Sequence, residues 1–142
     1  MNREQFNAKC HLSRVKTLKA QIHVQMISLE ELEAYINSIS SMPATEKVTG
    51  GCDKAELYNK KLTEYLDRKD KFVKKIDKLN KEIKEIEGLV NSISDEKIKA
   101  ILNLRYIGCL TWEDVGKEMN YTERQLRNMH LKGLTSISKL LF

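Results

Sequence analysis

TWEDVGKEMNYTERQLRNMHLKGL, residues 111–134, decides how the carboxyl-terminal third of the chain folds. Thr111 precedes Trp112, with Asp114 three residues on. That is a variant of the capping box, in which a hydroxyl and a carboxylate satisfy the free N–H groups at a helix start. Val115 and Met119 then face inward, and Trp112 is placed to cover the edge of the core. Asn120-Tyr121 makes a turn, and Thr122 with Gln125 forms a second capping box. The helix that follows sets Leu126, Met129, Gly133, Ile137 and Leu140 on its inner side. Gly116 lies inside the first of these two helices, where glycine costs about 1 kcal/mol relative to alanine. A close crossing of the two helices at that point would account for it.

Upstream, DEKIKAILNLRYIGCL reads as one more helix. Ser94 is a candidate cap, and Asp95 and Glu96 suit the positive end of the helix. Ile98, Ile101, Leu102 and Tyr106 share a face, and Gly108 lets the chain turn. Residues 94–142 are therefore expected to form a small three-helix domain.

Residues 1–93 carry a different periodicity. Steps of three and four from Ala55 meet Tyr58, Leu62, Tyr65, Lys69, Phe72, Ile76, Leu79, Ile83, Ile86, Val90 and Ile93, and only Lys69 is neither apolar nor aromatic. Charged runs such as NKEIKE fill the intervals, as on the solvated face of a coiled coil. The first third repeats the pattern through Val15, Leu18, Ile22, Gln25, Leu29, Leu32, Ile36 and Ile39. Two helices, near residues 4–39 and 53–93, are expected, the second about 60 Å long at 1.5 Å per residue. Pro43 and Gly50-Gly51 break the helix between them, and Asp53 is a candidate cap for the second. Two seams of similar length joined by a short breaker suggest an antiparallel hairpin. The rival is a parallel homodimer through the second helix. The predicted class is all-α, a long helical hairpin followed by a small helix-turn-helix domain.

Composition suits this class. One Pro, six Gly, 41% hydrophobic and 32% charged residues in 142 describe a helix-rich chain rather than a disordered one. The net charge of +5 is spread without a dominant basic patch, so it permits nucleic-acid binding without requiring it. Cys10, Cys52 and Cys109 make no CxxC pair, and His11 beside Cys10 has no second cluster to complete a metal site. No metal or other cofactor is expected. No stretch approaches the roughly 18 apolar residues of a membrane span, and the amino terminus does not read as a secretory signal. A cytoplasmic location is expected. No nucleophile–base set or phosphate-binding glycine loop points to an enzyme.

The outer face of the last helix carries Glu123, Arg124, Arg127, Asn128 and Leu131, with Lys132 and Lys139 beyond. Arg pairs with guanine, Asn with adenine, and Lys meets phosphate, so this face suits a helix entering the major groove. A merely solvated face is the plain alternative. LRYIGCLTWEDVGKEMNYTERQLRNMHLKGL resembles region 4 of bacterial sigma factors, without gaps through Val115, Gly116, Lys117, Thr122, Arg127, Lys132 and Leu134. The resemblance spans about residues 95–141. With its helical arm the chain is also similar, in architecture, to ArpU-type late-gene regulators of phages and mobile elements.

The resemblance implies that Arg124, Arg127 and Asn128 face DNA and that Thr122 caps the helix; with Glu123, Gln125 and Lys132 these make the expected DNA-binding set, with double-stranded DNA as partner. It also raises bacterial RNA polymerase as a partner, and the arm raises a homodimer. Sigma factors reading the usual −35 element commonly begin this helix Arg-Glu-Arg. Glu123-Arg124-Gln125 departs from that, so the sequence preference does not carry over. The expected function is a sequence-specific transcription regulator. The alternative is a region 4 mimic that binds polymerase or a sigma factor through protein contact, for which an exposed Leu131 would serve.

Overall fold

The computed structural model describes residues 1–41 and 53–141. They form an all-α chain of five α-helices: α1 (Arg3–Ser40), α2 (Lys54–Asn91), α3 (Glu96–Leu102), α4 (Trp112–Met119) and α5 (Glu123–Leu141). A π-helical turn, Asn103–Ile107, continues α3. No strand occurs among the described residues. The breakers Pro43 and Gly50-Gly51, and Cys52, lie outside them.

Each long helix starts at a side-chain cap. Asn2 Oδ1 accepts from the Gln5 N–H at 2.8 Å and Gln5 Oε1 accepts from the Asn2 N–H at 3.0 Å. Asp53 caps α2, its Oδ1 accepting from the Glu56 N–H at 2.7 Å. The predicted helix limits are met to within two residues.

The chain divides into two compact units, Met1–Lys19 with Asn80–Phe142, and Ala20–Leu79. This division does not fall at 93/94. The start of α1 and the end of α2 belong with the three short helices.

In the unit made by Ala20–Leu79, Ile36, Ile39 and Leu79 are buried. The other seam residues, among them Ile22, Leu29, Leu32, Leu62, Phe72 and Ile76, are half-buried. Lys69 is exposed, its ammonium 5.9 Å from the centre of the Tyr65 ring, and Lys61 lies 5.5 Å over Tyr35. The seam position at Ala55 is exposed as well.

The other unit holds the fuller core. Ala8, Leu12 and Val15 of α1 and Val90 of α2 are completely buried, together with Ile101, Leu102, Val115, Leu134 and Ile137. Ala8 and Leu12 continue the α1 seam backward beyond the Val15 at which the apolar run begins to stand out. Arg14 and Glu82 pair at 3.4 Å, and Lys19 donates to the Ile107 carbonyl. Gln5 Nε2 donates to the Leu131 carbonyl at 3.3 Å and to Thr135 Oγ1 at 3.0 Å.

Three local expectations change. Asp95, not Ser94, caps α3: its carboxylate accepts from the Lys97 and Ile98 N–H groups at 3.0 and 3.2 Å. Gly108 keeps a right-handed φ of −78°, and the left-handed residue of that turn is Cys109, φ 57°. Glycine is needed at 108 for space, because a Cβ there would stand 2.9 Å from the Leu104 carbonyl oxygen. Leu140 is 51% exposed rather than inward. The inner stripe of α5 runs through His130, Leu134, Ile137 and Ser138, which leaves Leu140 off it.

Candidate functional site

The site is built from α4, α5 and the turn joining them. Thr111, in extended conformation, accepts from the Asp114 N–H at 3.2 Å and opens α4. Asn120 closes it at φ 55°, a left-handed geometry that Asn tolerates better than most residues. The Tyr121 N–H then returns to the Gly116 carbonyl at 3.2 Å. The second capping box is reciprocal. The Thr122 N–H donates to Gln125 Oε1 at 2.8 Å, and the Gln125 N–H donates to Thr122 Oγ1 at 3.2 Å. Thr122 and Gln125 thus fix where α5 begins and where its first turn points.

α4 and α5 meet at Gly116. A Cβ at this position would stand 3.3 Å from Leu126 Cδ1 and 3.4 Å from the Tyr121 carbonyl oxygen. The glycine therefore earns its helix-propensity penalty by letting α5 approach. Beneath the crossing, Ile101, Val115 and Leu126 form a buried cluster with Leu104, Leu110, Trp112, Met119, Tyr121 and Met129 packed around it.

All seven residues expected to face a ligand are exposed: Thr122, Glu123, Arg124, Gln125, Arg127, Asn128 and Lys132. They are not equivalent. Arg127 pairs with Glu123 at 3.3 Å, one helical turn earlier. The side chains of Arg124, Asn128 and Lys132 have no hydrogen bond or ion pair among the described residues. Leu131 is half-buried, and its carbonyl is occupied by Gln5 and Thr135. The protein-docking alternative expects Leu131 to be exposed, and in this its burial differs.

Beside this face an open cleft of about 620 Å³ runs between α4 and α5. Trp112, Tyr121, Leu126 and His130 supply its apolar and aromatic lining. Two ion pairs, Glu113–Lys117 at 3.5 Å and Glu123–Arg127 at 3.3 Å, belong to its border residues.

Neither charge nor motif singles out His130, although its place four residues after Leu126 and four before Leu134 puts it on the inner stripe. It is 8% exposed, and its Nε2 lies 2.6 Å from the Tyr106 hydroxyl. Its ring meets Trp112 edge-on at 4.6 Å. Burial, reinforced by Lys9 and Arg105, lowers its pKa to about 4, so the imidazole is neutral at pH 7. Burial also pushes the Tyr106 phenol up to about 12, with Arg105 acting in the opposite sense. Arg105 is held 5.1 Å over the Trp112 ring while donating to the Leu110 carbonyl at 2.8 Å. This cluster is a satisfied part of the core that braces α4 against α5.

Among the described residues, no group of His, Cys, Asp and Glu is arranged to hold a metal ion. Among the same residues, no helix is long and apolar enough to cross a membrane. No protein-family model, curated protein or solved structure matches the chain.

Proposed function

We propose that the protein is a sequence-specific DNA-binding regulator of transcription from a phage or mobile element, acting at promoters with the host RNA polymerase. One observation carries the reading. The first two turns of a capped helix expose Arg124 and Asn128, whose side chains have no hydrogen bond or ion pair among the described residues, with Arg127 alongside. Exposed Arg and Asn near a helix amino end are the groups that read guanine and adenine edges in the major groove. Lys132, further along the helix, is suited to a phosphate. The likeness of residues 95–141 to sigma region 4 supports the same reading and supplies its link to promoters.

The test is selection of bound sequences from random duplex DNA by the purified protein at moderate salt, followed by titration of the winner. A recovered motif is expected, and Arg127→Ala should weaken its binding by roughly 1–3 kcal/mol while weakening unrelated DNA less. Equal loss on both would assign Arg127 to phosphate. No enriched motif would sink the proposal.

A further inference from the structure

The start of α1 is fastened to the same stripe of α5 that carries Arg124 and Asn128. Those two residues, Leu131 and Thr135 follow one another at steps of four, three and four, the spacing of a single helix face. Gln5 Nε2 donates to the Leu131 carbonyl at 3.3 Å and to Thr135 Oγ1 at 3.0 Å. Residues 1–19 and α5 belong to one compact unit, so this juxtaposition is internal to it. A helix that turns Arg124 and Asn128 toward a duplex therefore brings the start of α1 along, at the level of Leu131 and its neighbour Lys132.

What α1 carries at that level is positive charge. Residues 1–19 hold Arg3, Lys9, Arg14, Lys16 and Lys19 against Glu4 alone. Arg14 is engaged by Glu82, and Lys19 by the Ile107 carbonyl. Lys9 lies one turn after Gln5 on the same side of α1, where it is exposed. Its ammonium has no hydrogen bond or ion pair among the described residues. It is close enough to α5 to help lower the pKa of His130, the residue before Leu131, and a neutral imidazole offers it no counter-charge. A cation beside the stripe, but past the turns that carry Arg124 and Asn128, is placed for the sugar–phosphate backbone rather than for a base edge.

We propose that Lys9 contacts a phosphate of the duplex that α5 reads, which makes the start of α1 part of the DNA interface. This inference rests on the DNA-binding reading above and adds to it a contact from outside α4 and α5. The contact carries affinity and no sequence preference.

Titration of the full-length protein against the selected duplex and an unrelated one, over a range of salt concentrations, tests the assignment. Lys9→Gln should lower the slope of log affinity against log salt by about 0.9, the change for one lost phosphate contact. Counted from about 1 M salt, that is about fourfold weaker binding at about 0.2 M, equal on both duplexes. Lys9→Arg should keep the parent slope. Circular dichroism should show unchanged helicity in both variants, because the position is exposed. A photoreactive side chain introduced at position 9 should crosslink to the bound duplex. A parent-like slope in Lys9→Gln, a loss confined to the selected duplex, or absence of the crosslink would each overturn the assignment. Where the parent selects a motif and Lys9→Gln changes nothing, this inference alone fails. A parent that binds no duplex brings down the DNA-binding reading together with it.

Discussion

Glu123 and Arg127 show how one residue can restrain another. Their exposed pair at 3.3 Å is of the kind that contributes little to stability, typically 0.2–1 kcal/mol. Its consequence lies in presentation, since Arg127 is held along α5 until a stronger acceptor draws it away. Gly133 acts through volume. A Cβ there would lie 2.9 Å from Ile98 Cγ2 and 3.0 Å from Leu102 Cδ1. Leu102 is fully buried and has little room to yield. Gly133→Ala should therefore destabilise by about 1–3 kcal/mol in urea unfolding, despite alanine's better helix propensity.

His130 gives a pH signature. Its folded pKa of about 4 lies below the unfolded value near 6.5, so the unfolded state takes the proton first. Stability is fully present above about pH 6.5 and declines as pH falls toward 4, by at most about 1.4 kcal/mol per pH unit. His130→Gln should flatten that decline. His11 is shifted in the same direction, first by burial and then by Arg14, so the difference between parent and variant isolates His130.

At the scale of elements, most of the pattern was readable because it is periodic. The seams of α1 and α2 and the two Thr caps repeat at spacings that backbone geometry dictates. Ser94 and Asp95 are both good caps for α3, and only backbone direction, which the sequence does not state, chooses Asp95. Conformational preference points to glycine as the left-handed residue of the Gly108-Cys109 turn, whereas Cys109 takes that conformation and the glycine is needed for clearance. The outer face of α5 was visible from spacing, but the Glu123 restraint on Arg127 depends on side-chain rotamers. Thr122→Ala removes one hydroxyl acceptor from the start of α5 and should cost about 1 kcal/mol. Thermal melts, compared with those of an exposed substitution such as Lys139→Ala, would measure it. Leaving the loss undetectable would mean that Gln125 and packing alone set the helix start.

At the scale of the whole molecule, the expected boundary at 93/94 followed from where the heptads stop. Heptads report helix continuity and do not report which core a helix joins. Ala8, Leu12 and Val15 lie in the same compact unit as α3, α4 and α5 although they sit on the long helix. Gln5 makes the link explicit, capping α1 through its oxygen while its amide nitrogen reaches Leu131 and Thr135.

One compact unit is thus assembled from two separated stretches of chain, with residues 20–79 between them. Its folding rate is set partly by the search that brings those stretches together, which grows costlier with the length of free chain intervening. Early pairing of α1 with α2 within that interval would shorten the search. Ile36→Ala, a change outside the assembled unit, should therefore slow the return of Trp112 fluorescence after dilution from urea. A refolding rate unaltered by it, with only unfolding accelerated, would show that the ends find one another before the middle forms.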